Sequence, residues 1–212
     1  MLCDFDGTII EIDTAEYVLH NFSQDDWKIY DRELELGKIS IEECMQKQFE
    51  TVRVSKEKII TLLERRQPNF RPHFDSFLHY CHEHKVPVII VSAGLDFLIN
   101  HFLRKNGLHK RVKVYAAKTE VVSQVGIKFE FPPIEDPTAV DFKDDIVKKY
   151  KSEFSVLFIG DGSGDFHALK SADYGFAVKG SILAELCEKN TVPYQIFEDF
   201  QEIIEEIRKI RS

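Results

Sequence analysis

The chain begins MLCDFDGTII (Met1–Ile10), and the reading of its two aspartates decides how the rest of the chain is read. MLCDF is a short run of strand character, with Asp4 and Asp6 one residue apart where it ends. Gly7 and Thr8 follow, then Ile9 and Ile10. Aspartate and glycine both favour turns, so DFDGT on its own suits an ordinary strand-to-turn transition. Two like charges at a strand end also suit a cation site. The choice depends on whether other segments bring partners to the same place.

Further strand candidates follow at intervals: VPVIIV (86–91), VKVYA (112–116), SVLFIG (155–160) and the weaker YGFAV (174–178). Continuous apolar, β-branched runs of this kind belong to strands buried on both faces. Between them lie helical stripes: Phe74, Phe77, Leu78 and Cys81; Leu95, Leu98, Ile99 and Phe102; Phe200, Ile203, Ile204 and Ile207. Strand and helix in alternation predict an α/β fold with a Rossmann-like, mostly parallel sheet.

Residues 14–67 break the alternation, with no good strand. Ala15, Val18, Leu19 and Phe22 form one stripe; Ile41, Cys44, Met45 and Phe49 another; Ile59, Leu62 and Leu63 a third. Ser40–Glu43 (SIEE) reads as a capping box, and Ser55 as a further helix cap. RQPNFRP (66–72) reads as a linker, since each proline biases its predecessor away from helix. The expected organisation is a catalytic core of residues 1–12 and 72–212, with a helical-bundle cap, 13–71, inserted after the first strand. A smaller excursion, Thr119–Pro133, contains VVSQVGIKFEF and reads as a β-hairpin.

The 212 residues are 43% hydrophobic and 30% charged, with a formal net charge of -8. That suits a globular chain with a sizeable core and argues against nucleic acid as the main partner. No apolar run approaches the length of a membrane span, and no basic-then-apolar leader opens the chain. Four scattered cysteines, Cys3, Cys44, Cys81 and Cys187, read as reduced thiols. The expectation is a cytoplasmic protein, monomer or homodimer, without membrane or nucleic-acid partners.

Ligands of open α/β sheets bind beyond the carboxyl ends of the strands. The first strand end carries Asp4, Asp6 and Thr8; the second, VSAG, carries Ser92 and Ala93; the fourth, GDGSGD, carries Asp161 and Asp165. Ahead of that strand, DFKDDIV places Lys143 near a helix start. Clustered carboxylates with room for water suit Mg²⁺. A cation, a lysine, a hydroxyl and helix-start amides together suit a phosphoryl group. A carboxylate aligned on that phosphorus can attack it, and a second can move the proton of the leaving oxygen.

These four segments resemble the four motifs of the haloacid dehalogenase superfamily of phosphotransferases. The resemblance implies Asp4 as nucleophile and Asp6 as general acid/base. It implies Thr8, Ser92, Ala93 and Lys143 around the phosphoryl group. It also implies Mg²⁺ on the Asp4 carboxylate, the Asp6 backbone carbonyl and Asp161, with Asp165 in support. The superfamily's dehalogenases lack an aspartate at the position of Asp6, so its presence favours phosphate chemistry. The expected substrate is a small phosphorylated metabolite, hydrolysed through an aspartyl-phosphate. A phosphomutase on the same fold and a receiver-like phospho-accepting domain are the alternatives.

The helical insert resembles the cap of phosphoserine-phosphatase-like members. VSAGLDFLINHFL (91–103) is similar to the methionine-salvage branch, which acts on 2-hydroxy-3-keto-5-methylthiopentenyl 1-phosphate. In the phosphoserine branch the segment matching GKISIEECMQKQF (37–49) carries an arginine for the substrate carboxylate; here Gln46 and Gln48 stand in that region. Asp13 falls where those enzymes place an acidic residue for the substrate amine. Trp27 reads equally as cap core or as a wall of the substrate site. His73, His79, His82 and His84 read as the wet side of a helix, and Asp144 and Asp145 as favourable charges in a first helical turn.

Overall fold

The computed structural model describes residues 1–122 and 125–211. Its centre is a six-stranded parallel sheet in the order β3-β2-β1-β6-β7-β8. The strands are β1 (Leu2–Cys3), β2 (Ile89–Ser92), β3 (Lys113–Ala116), β6 (Leu157–Gly160), β7 (Tyr174–Val178) and β8 (Gln195–Phe197). β1, β2 and β6 are buried along their whole length, which explains their uninterrupted apolar sequence.

β1 is shorter than the five-residue run suggests, because the chain turns at Asp4. Pairing still reaches one residue further, since the Asp4 N–H donates to the Ile159 carbonyl at 2.8 Å. Cys3 pairs with Ile90 on one side and Ile159 on the other. The ends of β1, β2 and β6 therefore open onto one edge, at the point where the strand order reverses direction. β8 went unread in the sequence: only Phe197 of its three residues is buried, so it shows no apolar run.

Between β1 and β2 the chain forms α1 (Thr14–Phe22), α2 (Lys28–Glu35), α3 (Ile41–Phe49), α4 (Lys56–Arg66) and α5 (Phe74–Glu83). Asp13, Ser40 and Ser55 cap α1, α3 and α4 by accepting from Glu16, Glu43 and Lys58 N–H groups. Only half of the capping box at Ser40 forms, because the Glu43 carboxylate pairs with Lys47 at 2.8 Å. α2 was not read from the sequence: Ile29, Tyr30 and Leu34 are its only apolar residues, and it buries none of them fully.

The segment read as a linker is a clamp. The Arg71 guanidinium donates to the carbonyls of Gly7 (2.6 Å), Thr8 (2.8 Å) and Glu198 (3.1 Å), and its N–H to the Ile9 carbonyl (2.7 Å). The returning chain thus holds the loop that follows β1.

The remaining helices, α6 (Asp96–Lys105), α7 (Phe142–Lys151), α8 (Phe166–Ser171), α9 (Ile182–Lys189) and α10 (Phe200–Arg211), cover the sheet. Phe74 and Phe77 of α5 pack on Phe200 of α10, with ring centroids 4.9 and 5.1 Å apart. The histidines of α5 stay at the surface: His79 pairs with Glu83 at 3.3 Å, and His84 Nδ1 lies 2.8 Å from the Tyr80 carbonyl. No helix among the described residues is long and apolar enough to cross a membrane.

The hairpin comprises β4 (Lys118–Val122) and β5 (Gly126–Glu130), paired antiparallel; Ser123 and Gln124, in its expected turn, lie outside the described residues. It docks on α3 through one amide. Gln46 Nε2 donates to the Ile127 carbonyl at 3.3 Å, and Gln46 Oε1 accepts from the Phe129 N–H at 3.0 Å. Phe49 and Phe129 stack edge-on at 5.4 Å beside it. Gly126 has φ +110, and a Cβ there would meet the Glu50 carbonyl oxygen at 2.4 Å. Gln46→Ala strips both backbone groups of their partner, which is expected to lower unfolding free energy by about 1–3 kcal/mol. Urea denaturation checks this; an unchanged midpoint would show that the amide contributes nothing to docking.

Candidate active site

A cavity of about 480 Å³ lies between the carboxyl edge of the sheet and the helices 14–66. Asp4, Asp6, Ser92, Ala93, Lys143, Asp161 and Asp165 all line it. Seven of the eight residues expected from strand ends and the Lys143 helix are therefore together. Thr8 is the exception. It is fully buried, and its hydroxyl donates to Asp161 Oδ1 at 2.6 Å, so it braces a carboxylate from behind.

Lys143 sits at the centre, 4% exposed. Its Nζ lies 2.7 Å from Asp4 Oδ1 and 2.6 Å from Asp165 Oδ1. Burial works against its charge, but Asp165 and Asp4 outweigh it, so the ammonium is held above its ordinary value. Asp4 is pushed up by burial, and Lys143 is what opposes that. Asp165 Oδ2 also accepts from the N–H groups of Asp161 (3.1 Å) and Gly162 (3.0 Å), which fixes the loop after β6.

Asp6 is arranged differently. Its Oδ1 accepts from the Thr14 N–H at 3.0 Å and from the Thr14 hydroxyl, while its buried Oδ2 has no hydrogen-bond partner among the described residues. Burial raises its pKa against the Thr14 bonds.

Three glycines make the crowding possible. A Cβ on Gly7, whose φ is +71, would fall 2.1 Å from Asp161 Oδ2; one on Gly94 would fall 2.2 Å from Asp6 Oδ2. A Cβ on Gly160 would meet Asp165 Oδ2 at 2.6 Å. Asp4, Asp161 and Asp165 each offer an oxygen within 4.8 Å of the others. This all-oxygen, acidic donor set fits a hard divalent cation such as Mg²⁺. The Asp6 carboxylate is not among the three, since Thr14 holds one of its oxygens; the expected metal contact of Asp6 is its backbone carbonyl, not this side chain.

Sequence reasoning undervalued the neighbours of Lys143. Asp144 and Asp145 stand in the first turn of α7, as expected, and both are buried. Asp144 accepts from the Val140 N–H (3.0 Å) and the Ser171 hydroxyl (2.6 Å); Asp145 accepts from the N–H groups of Glu135 (2.9 Å) and Asp136 (2.6 Å). Asp141 caps the same helix on Asp144, and Glu42 of α3 accepts from the Phe142 N–H at 3.0 Å. These bonds aim Lys143. Trp27 satisfies both of its readings, being 7% exposed in the core and a wall of the cavity.

Asp161 supplies a pH signature for the metal-free protein. Burial, and then the charge of Asp165, raises its pKa from 3.8 to about 7, against the Thr8 bond. The folded chain holds this proton where the unfolded chain has lost it. Stability from this group is therefore full at low pH and disappears as pH rises through about 7. In chelator, the melting temperature should fall between about pH 4 and about pH 7. Asp161→Asn should flatten that fall and melt above wild type at the alkaline end. Thermal melts across pH check this, and a mutant that melts lower throughout would make Asp161 a purely structural residue.

Comparison with known proteins agrees with this geometry. The sequence model for haloacid dehalogenase-like hydrolases matches residues 1–170. The 2-hydroxy-3-keto-5-methylthiopentenyl-1-phosphate phosphatase of Brevibacillus brevis is 27% identical over 218 residues, spanning 100% of this chain and 96% of that one. The enzyme of the same name from Geobacillus kaustophilus is 26% identical, spanning 99% and 96%. Among solved structures, a phosphoserine phosphatase carrying a phospho-aspartyl intermediate analogue superposes with a TM-score of 0.72 at 20% identity, covering 97% of this chain and 96% of its own. A phosphoserine phosphohydrolase-like protein from Francisella tularensis superposes at 0.71 with 19% identity, covering 97% and 98%. With the fold, the strand-end carboxylates and this match in agreement, the chain belongs to the haloacid dehalogenase-like hydrolases.

Proposed function

We infer that the chain is a phosphatase of small phosphorylated metabolites, working with Mg²⁺ through an aspartyl-phosphate on Asp4. The observation that carries this reading is the contrast between Asp4 and Asp6. Asp4 is an ion-paired carboxylate on Lys143, whereas Asp6 makes no bond to the lysine: Thr14 holds one of its oxygens and the other has no hydrogen-bond partner among the described residues. One is equipped to attack and the other to donate a proton.

In the first half-reaction the free Asp4 oxygen forms a bond to phosphorus, the phosphorus–alcohol bond breaks, and the leaving oxygen takes the Asp6 proton. In the second half, Asp6, now a carboxylate, takes a proton from water as that water attacks phosphorus. The Asp4–phosphorus bond breaks, and inorganic phosphate leaves. Lys143 and Ser92 face the phosphoryl oxygens. Asp4, Asp161 and Asp165 would hold Mg²⁺, which would neutralise charge between the carboxylates and the phosphoryl group. The insert, residues 13–71, serves as the cap that limits bulk water at this site.

The substrate follows the cap, and here the chain departs from the phosphoserine phosphatases it resembles in fold. Gln46 faces the hairpin, and Gln48 donates to Asp31, so neither replaces an arginine. Apart from Lys143, no cation lines the cavity among the described residues. Phosphoserine should therefore be a poor substrate, and the phosphate ester named for the Brevibacillus and Geobacillus relatives is the better candidate. In a panel of phosphate esters with Mg²⁺, phosphoserine ranking first would contradict this. Asp4→Asn should reduce phosphate release by on the order of 10³-fold or more while the melting temperature holds. Near-normal turnover in that folded variant would exclude Asp4 as nucleophile.

A further inference from the structure

The wall of the cavity opposite the sheet has its own charge pattern. Its charged residues are Asp13, Glu16, Asp31 and Glu35, all carboxylates. The cavity's single lining cation, Lys143, is already bound to Asp4 and Asp165. Most of these acids face water at the rim or cap a helix. Asp31 is the half-buried member, and it is held in one orientation.

The hold comes from α3. Gln48, 3% exposed, donates from Nε2 to Asp31 Oδ1 at 2.7 Å and lies 3.5 Å from the Trp27 carbonyl. The Cys44 thiol approaches the same oxygen at 3.9 Å. Both contacts fall on Oδ1; Oδ2 accepts no hydrogen bond from a described residue. Helix α3 is itself fixed to the rest of the molecule, by Gln46 on the hairpin and Glu42 on α7. Asp31 is therefore a rigid acceptor with one side of its carboxylate engaged and the other unpaired, on the wall that faces the phosphoryl end. A ligand donor that takes the place of water on this oxygen gains a charge-assisted hydrogen bond in a pre-set direction.

Resting on the phosphatase reading above, we propose that Asp31 is a specificity-determining residue: its Oδ2 accepts a hydrogen bond from a hydroxyl or ammonium group on the leaving alcohol, so the enzyme selects phosphate esters whose leaving group carries a donor. Anionic leaving groups are repelled by the same wall. Esters with a bare alkyl group leave Asp31 unpaired and bind more weakly. Gln48 takes part as a positioning residue, because it decides which oxygen of Asp31 is presented.

The test uses the whole protein with Mg²⁺ and four esters of similar size: ethanolamine phosphate, 1,2-propanediol 1-phosphate, propyl phosphate and 3-phosphooxypropionate, whose leaving group is anionic and carries no donor. At least one of the two donor-bearing esters should exceed propyl phosphate in kcat/KM by about 10-fold or more, the worth of a hydrogen bond to a charged group. The ethanolamine ester leading identifies an ammonium; the propanediol ester leading identifies a hydroxyl. Asp31→Asn makes a sharper prediction. Gln48 keeps the side-chain oxygen, so the amide NH₂ turns to the cavity and the wall changes from acceptor to donor. The donor-bearing esters should then lose about 10-fold, mainly through KM, while 3-phosphooxypropionate gains. Loss by one common factor for all four esters would make Asp31 structural and overturn the proposal. So would a wild type indifferent to the donor. Absence of phosphate release from every ester would instead overturn the phosphatase reading, and this proposal with it. If Asp31→Asn fails to fold, Asp31→Ala carries the test through loss of donor preference alone.

Discussion

A buried ammonium between two carboxylates organises the carboxyl edge of this sheet. Without the charge of Lys143, Asp4, Asp161 and Asp165 would face one another at close range, where each pair repels by roughly 4 kcal/mol at an effective dielectric of about 20. With it, Asp4 and Asp165 are drawn to one point from two different strands. The lysine cannot wander, because its helix is tied down at the start. Asp141, Asp144 and Asp145 secure the segment ahead of it, and Glu42 reaches across from the inserted helices to the first free N–H. The glycines at 7, 94 and 160 then let neighbouring backbone come close enough for the carboxylates to share that point.

Much of this arrangement was legible in the sequence, for physical reasons. Strands buried on both faces must be apolar throughout, so β2 and β6 stood out, and the groups just past their ends could be placed on one edge by topology alone. Lys143 was readable only as part of that set. What the sequence hid falls into two kinds. α2 and β8 are amphipathic at best, and burial never imposed a pattern on them. Arg71, Gln46, Gln48, Asp144 and Asp145 act through bonds to distant backbone or side chains. Such bonds leave no trace in local spacing. Thr8 shows the same limit from the other side: it lies within a recognisable motif, but its hydroxyl serves Asp161 and not the cavity.

The comparisons divide along the same line. The Brevibacillus relative matches this chain over nearly its full length at 27% identity, and the phosphoserine phosphatase structure shares its fold at 20%. The residues that enclose the far side of the cavity are less constrained. They need only fill α1 to α3 and keep the helices packed, so they are free to carry different chemistry above a common centre. Gln46 illustrates how completely a position can be reassigned. In the segment resembling the carboxylate-reading part of the phosphoserine branch, this chain has a side chain that turns away from the cavity altogether.

That amide links two insertions through residues 81 positions apart in sequence, Gln46 and Ile127. A helix from the first and a strand from the second complete each other's hydrogen bonds, and Phe49 and Phe129 close the seam. Mechanically they are one body attached to the core at several points. Neither piece is therefore an exchangeable module. A helical insert borrowed from a relative would arrive without the strand edge its own α3 was shaped to meet, and a hairpin borrowed alone would expose the backbone that Gln46 covers. Chimeras that exchange both pieces keep the seam intact, and across descent the two segments are bound to change in step.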